Sequence, residues 1–318
     1  MKRTLFLIPQ FSAKLRYQSW FYSEFPKELR KRFHRVVVIG EKFLRPNQIE
    51  QHDTAMFSAV KPAIEFELDQ IREYLSLNVK GEDILIVLDL SFPGLFSGVL
   101  YHSRPKHCFA YCHATSLNYL DYFAADRGSK SRVEYGHSRL FTKVFVGSEY
   151  HKQKLGWKNL EVIGLPLPPF KTYDAEEKIY DIVSVARPSK QKVTKTVEDA
   201  IEREFGPIKR KQCASWGEYY KLLGQSKVLL ISSRADTFNY SVLDAILNGC
   251  IPVAPNKLCF PELLPKPYLY DTIDDLKKII QSCLNREYQV PILLNMPAVT
   301  SFYDTLSNWI IEESARSS

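Results

Sequence analysis

Residues 228–265 read VLLISSRADTFNYSVLDAILNGCIPVAPNKLCFPELLP. The apolar run Ser226 to Ser232 predicts a strand, Ser233 to Thr237 a polar loop, and the stretch near Asn239 to Asn248 a helix. Gly249 is placed to end that helix, and Pro252 stands near the start of a short strand from Ile251 to Ala254. A strand that feeds a helix through a polar loop presents free backbone N–H groups at the helix start, which suits an anion such as a diphosphate. Asp236 lies in the loop and Asp244 eight residues on in the helix, so both can address one ligand from different sides.

Working outward, the same alternation recurs along the chain. The second half begins with a strand from Tyr180 to Val185 and a helix through Val193 to Phe205, and continues beyond the quoted stretch with a helix Ile273 to Leu284. A last helix from about Ser301 to Glu313 sets Phe302, Leu306, Trp309 and Ile310 on one face, a packing face. The first half shows short β-branched runs at Thr4 to Pro9, Arg35 to Gly40, Asp83 to Leu90, His107 to Cys112, Lys143 to Gly147 and Leu160 to Ile163. Such runs, separated by amphipathic stretches, predict buried parallel strands in βα repeats. The segment IGLPLPPF at 163–170 continues neither a helix nor a central strand and is read as the linker. The expectation is two doubly wound α/β domains, 1–164 and 165–297, with a helix at about 298–318 packing back on the first. Ligands of such folds bind in the cleft at the C-terminal strand edges.

Length and composition set the bounds. A chain of 318 residues is about twice a typical domain, and 45% hydrophobic with 25% charged residues is ordinary globular composition. No apolar run reaches the roughly 18 to 20 residues of a membrane span, and the first residues carry no small-residue cleavage site, so a cytoplasmic location is expected. The six cysteines (Cys108, Cys112, Cys213, Cys250, Cys259, Cys283) form no CxxC and read as core thiols. Residues 1–165 hold 24 Lys and Arg against 17 Asp and Glu, while residues 166–318 hold 19 of each, so the net +7 lies in the first half. That half is expected to meet something acidic.

The order Asp236-x7-Asp244, Gly249-Cys250-Ile251-Pro252, Pro261-Glu262 resembles the donor-binding segment of the group-1 family of GT-B glycosyltransferases. The family usually has glutamate at both acidic positions with glycines between them, where this chain has aspartates and Thr237-Phe238-Asn239. It also often has a Gly-rich loop after the first strand, where this chain reads Pro9-Gln10-Phe11-Ser12. The resemblance implies a GT-B fold, two Rossmann-like domains facing across a cleft, and a nucleotide-sugar donor, UDP- or GDP-linked, used without a metal. It implies that Arg187 and Lys192, with Lys190 as an alternative lysine, neutralise the diphosphate, helped by the N–H groups near Asn239, Tyr240 and Ser241. It further implies that Asp244 holds the ribose, while Asp236 and His113, with Asp89 as a further candidate, address the sugar.

In this architecture the first domain generally holds the acceptor. Arg16, Tyr17 and Trp20, near the basic run Lys27 to Arg35, and Arg127, Lys130 and Arg132 interleave cations with aromatics, a pattern suited to a polyanion with stackable bases. The run Gly249 to Glu262 is similar to that of tRNA-queuosine mannosyltransferases, and phage enzymes that glycosylate hydroxymethylated pyrimidines in DNA share the fold. The expected reaction is retaining transfer of a sugar to a hydroxyl of a modified base, with DNA placed ahead of tRNA. Lys27 to Arg35 also reads as an amphipathic helix with Phe25, Leu29 and Phe33 inward, which keeps a lipid-linked or envelope saccharide at a membrane surface as an alternative. A non-catalytic nucleotide- or nucleic-acid-binding protein on the same scaffold is a further alternative.

Overall fold

A computed structural model describes residues 3–9, 24–43, 56–90, 94–118, 127–166, 177–186, 189–190, 192–210, 213 and 215–316. The chain runs β1 (Thr4–Ile8), α1 (Glu24–Arg30), β2 (Arg35–Val38), α2 (Met56–Ser76), β3 (Ile84–Val87), α3 (Phe96–His102), β4 (His107–Tyr111), α4 (Arg127–Ser138), β5 (Lys143–Val146), α5 (Glu149–Leu155) and β6 (Leu160–Val162). It continues through β7 (Tyr180–Ser184), α6 (Lys195–Phe205), β8 (Lys209–Arg210), α7 (Trp216–Gly224), β9 (Ser226–Leu230), α8 (Tyr240–Leu247), β10 (Ile251–Pro255) and α9 (Phe260–Leu263). It closes with β11 (Leu269–Tyr270), α10 (Ile273–Leu284), α11 (Met296–Thr300) and α12 (Phe302–Arg316).

The strands form two sheets, β2-β1-β3-β4-β5-β6 and β11-β10-β9-β7-β8. Every pairing is parallel, with Leu5 opposite Ile84 in the first sheet and Ile182 opposite Val228 in the second. The order reverses beside β1 and beside β7, so each sheet has a switch point where its two halves diverge and a crevice opens at the strand ends. Alternation along the strands sends Leu5, Leu7, Ile84, Ile86, Phe109 and Phe145 to one face and Phe6, Ile8, Leu85, Val87, Cys108 and Val144 to the other. Phe25 and Leu29 of α1 and Phe302, Leu306 and Ile310 of α12 cover the first face. Tyr74, Phe96 and Leu100 cover the second. The first cluster runs on through Ile163 and Leu165 into Tyr240, Val242 and Phe260, so the apolar interior is continuous past the linker.

Local signals set the element ends. Thr272 and Asp275 form a capping box at α10, Ser148 and Ser215 cap α5 and α7, and Gly156 closes α5 at φ 63°. Gly249 follows α8 at φ 66°, a backbone state that glycine adopts without strain.

The helix expected over Lys27 to Arg35 is shorter in the structure. It stops at Arg30, residues 31–34 turn, and Arg35 opens β2. Phe25 and Leu29 are buried as expected, and Phe33 packs from the turn. Its cations are largely paired: Lys27 with Glu24, Lys31 with Glu28, and Arg32 with both Glu28 and Asp304 of α12. Of the six cysteines, five are buried and Cys213 half-buried, all of them free thiols. No helix among the described residues is long and apolar enough to cross a membrane.

Candidate active site

At the switch point of the second sheet, the loop after β9 meets the loop after β7. Lys192 donates from Nζ to Asp236 Oδ1 and, at 3.1 Å, to the carbonyl of Ala235. Asn239 Nδ2 donates to the other oxygen, Oδ2, of Asp236 at 3.0 Å. The same Asn239 caps α8, its Oδ1 accepting the Ser241 N–H at 2.9 Å. The two loops are stitched below this point, where Thr194 donates through its N–H to Ser232 Oγ at 3.1 Å and through Oγ1 to the Ser232 carbonyl at 2.6 Å. Asp236 is thus a buried carboxylate gripped by a cation and an amide beside the start of a helix, with Lys192 only partly covered. An exposed edge of that lysine and the α8 N-terminus together offer positive potential to a diphosphate.

Asp244 stands apart from this group. It is fully buried, and its Oδ2 accepts the Tyr219 hydroxyl of α7 at 3.0 Å. The two aspartates therefore do not share one ligand-facing surface, because a residue four places into α8 points to the helix packed beneath. Tyr240 is mostly buried and donates to the Pro166 carbonyl at 3.1 Å, holding the linker against α8.

His113 follows β4 on the opposite sheet. Its Nε2 lies 3.2 Å from the Leu88 carbonyl, which can only accept, so the ring hydrogen sits on Nε2. Burial pushes its pKa down to about 3, and the ring, whose centroid is 4.5 Å from that of Tyr111, is neutral across the physiological range. Asp89 follows β3, half-buried, on the same strand edge.

The two sheets meet through this site. Thr237 Oγ1 donates to the His113 carbonyl at 2.9 Å, and Ser148 Oγ donates to the Thr237 carbonyl. Phe238 packs so close to Gly147 that an added Cβ there would lie 3.1 Å from it. Glu262 of α9 accepts the N–H of Glu149 at 2.8 Å and of Tyr150 at 2.7 Å. Burial and the nearby Cys259 and Asp236 raise the pKa of the Tyr150 hydroxyl. Burial also drives the Cys259 thiol well above its ordinary value, with Asp236 adding to the effect.

The structure therefore brings Asp236, Lys192, Asn239 and the start of α8 together and ties them to His113. Lys190 is exposed and lines a depression of about 340 Å³ with Glu198, Asp199, Glu202 and Arg210. Arg187, Arg16, Tyr17 and Trp20 lie outside the described residues. Arg127 opens α4, on which Lys130 is half-buried and Arg132 exposed. The contributions of Ser148, Tyr150 and the Glu262 carboxylate were not assigned from the sequence, although Glu262 stands in the Pro-Glu pair that the motif contains. Among the described residues no group of three or more His, Cys, Asp or Glu is clustered to hold a metal ion.

No protein-family model matches the sequence. A stretch of 108 residues, 32% of this chain, is 32% identical to tRNA-queuosine alpha-mannosyltransferase of Drosophila melanogaster and spans 27% of that protein. Among solved structures, HepE of Anabaena in complex with UDP-glucose is similar with a TM-score of 0.63 at 13% identity, over 98% of this chain and 99% of that one. Sucrose-phosphate synthase of Thermosynechococcus elongatus gives 0.62 at 12% identity over 99% and 98%. The lipopolysaccharide outer core galactosyltransferase WaaB gives 0.60 at 13% identity over 99% of each chain. These likenesses cover nearly the whole chain, and the chain has the two-domain, Rossmann-like GT-B fold.

Proposed function

We propose that the chain is a glycosyltransferase that moves a sugar from a nucleotide sugar, UDP- or GDP-linked, to a hydroxyl of a modified base in nucleic acid. The observation that carries this reading is the knot of Lys192, Asp236 and Asn239 at the second sheet's switch point, pinned to His113 of the first through Thr237. Lys192, with Arg187 five residues before it in the sequence, balances the charge that builds on the departing diphosphate, and the amides at the start of α8 assist. Asp236 and the neutral His113 address the sugar hydroxyls, and Asp89 lies on the same strand edge as His113. Asp244 supports the nucleotide side from beneath α8, through Tyr219. No metal enters the reaction.

Transfer proceeds with retention. The bond from the anomeric carbon to the diphosphate oxygen breaks, the acceptor hydroxyl forms its bond on the same face, and its proton passes to the departing phosphate oxygen. Asp236 is committed to a cation and an amide, which favours this course over a carboxylate that attacks the sugar. Titrating UDP-glucose and GDP-mannose into the wild-type chain and Arg187→Ala tests the donor site: affinity and turnover should be lost in the variant, and retained turnover would sink the assignment. The anomeric configuration of the product, read by NMR coupling constants, tests retention.

For the acceptor, the first domain supplies the basic residues Lys130 and Arg132 on α4, with Arg127 at its start and Arg16, Tyr17 and Trp20 as further candidates. Hydroxymethylpyrimidine in DNA and a modified base in tRNA both fit a basic, aromatic surface. The similarity to a tRNA-queuosine alpha-mannosyltransferase favours the tRNA form. A saccharide acceptor at a membrane surface draws less support, because three cations of the run Lys27 to Arg35, namely Lys27, Lys31 and Arg32, are held in ion pairs.

A further inference from the structure

Helix α5 belongs to the first domain, yet its start is completed by the second. Of its first three amides, that of His151 is capped locally by Ser148 Oγ at 3.1 Å, whereas those of Glu149 and Tyr150 both point at Glu262, 2.8 and 2.7 Å away. A helix leaves its first N–H groups without internal partners, and a carboxylate suits them because its two oxygens accept two N–H groups at once and its charge opposes the helix dipole. The residue before this helix, Ser148, donates to the carbonyl of Thr237, whose hydroxyl in turn donates to the carbonyl of His113 at 2.9 Å. Thr237 directly follows Asp236. The grip of Glu262 on α5 and the spacing between Asp236 and His113 are thus parts of one strip of cross-domain contact.

We propose that Glu262 is a positioning residue: by capping α5 from the opposite domain it seats the first domain on the donor loop and fixes His113 against Asp236. It touches neither sugar nor diphosphate and acts through the backbone of α5 and Thr237. The kinetic part of this inference rests on the glycosyl-transfer reading; the structural part does not.

The test compares the full wild-type chain with Glu262→Ala and Glu262→Gln by amide hydrogen exchange, thermal melting and steady-state kinetics with the nucleotide sugar. In Glu262→Ala, exchange at Glu149 and Tyr150 should speed by roughly tenfold or more, since both amides lose their acceptor. At a temperature well below melting, kcat should fall roughly ten- to a hundredfold while KM for the donor changes little, the signature of misplaced rather than missing groups. Glu262→Gln, which keeps one good acceptor oxygen, should recover part of both. Unchanged protection at the two amides overturns the proposal, and so does lost protection with unchanged kcat. If Glu262→Ala does not fold, Thr237→Val, which removes the hydroxyl and keeps the shape, should show the same kcat loss, and full activity there overturns the strip. Absence of transfer by the wild-type chain counts against the function proposed above, and the exchange result then decides the capping on its own.

Discussion

Lys192 and Asp236 carry the sharpest consequences at the scale of single residues. Removing the lysine strands a nearly buried carboxylate, which typically costs about 3–5 kcal/mol, and takes a cation from the departing diphosphate, which costs roughly 10²–10³ in kcat. Lys192→Ala should therefore lower both the melting temperature and, in the folded fraction well below it, the turnover; a variant as active as wild type would remove Lys192 from the site. His151 makes a separate prediction. It is buried with its Nε2 lacking a hydrogen-bond partner, and burial pushes its pKa down to about 3. A histidine depressed in this way contributes stability that is complete above its ordinary pKa of about 6.5 and drains away as the pH falls from there toward 3, because the unfolded chain takes up the proton first. Urea unfolding should show about 2 kcal/mol less stability at pH 5 than at pH 8 from this residue alone, and His151→Leu should shrink the difference by that amount. From sequence, Asp236 could be named from the Asp236-x7-Asp244 order and Lys192 from its place five residues after Arg187, and the structure brings the two side chains together. The partners of Glu262 were not, since 113 and 112 positions separate it from the amides it accepts and no local pattern encodes such a contact.

At the scale of elements, α8 shows how one side chain does two jobs. Asn239 caps the helix and also holds Asp236, so Asn239→Ala should cost about 1 kcal/mol in a thermal melt and lower turnover as well. Asn239→Ser should restore the cap but not the amide on Asp236. Recovered stability with turnover still low supports the division, and turnover recovered together with stability contradicts it. The strands were readable because fully buried parallel strands leave unbroken apolar runs, and each of the six in the first half falls within a run seen in the sequence. The elements that sequence did not show include β8, α7, α9, β11 and α11. β8 and β11 are strands of two residues, α9 and α11 helices of four and five, all too short for a clear period, and α7, although Ser215 caps it, is a short helix close behind β8. Lys27 to Arg35 misled because the four-residue spacing of Phe25, Leu29 and Phe33 is satisfied equally by a short helix followed by a turn. The burial of Asp244 was hidden for a related reason: helical spacing places a residue on a face without saying which neighbour, here Tyr219, lies against it.

At the scale of the whole molecule, the chain closes on itself. Helix α12 returns from the second half to the first sheet, where the Phe302 ring lies 5.7 Å from that of Phe25 at 68° and Leu306 and Ile310 are buried beside it. Phe302→Ala should cost roughly 3–5 kcal/mol, the range for a large buried aromatic, whereas Asp304→Ala, which removes only the exposed partner of Arg32, should cost less than about 1 kcal/mol. Chemical denaturation of the two variants checks the contrast, and equal losses would contradict this account of the packing. The charge asymmetry between halves was readable as arithmetic, but its meaning depends on which cations remain unpaired. At and just after α1, Lys27, Lys31 and Arg32 stand in ion pairs. The claim that most needs testing is the transfer itself. The direct measurement incubates the chain with UDP- and GDP-sugars and either bulk tRNA or hydroxymethylpyrimidine DNA, digests the nucleic acid and weighs the nucleosides. A hexose or pentose mass added to one nucleoside, and absent with Lys192→Ala, is the predicted result; unmodified nucleosides from both acceptors despite saturable donor binding would contradict a nucleic-acid acceptor.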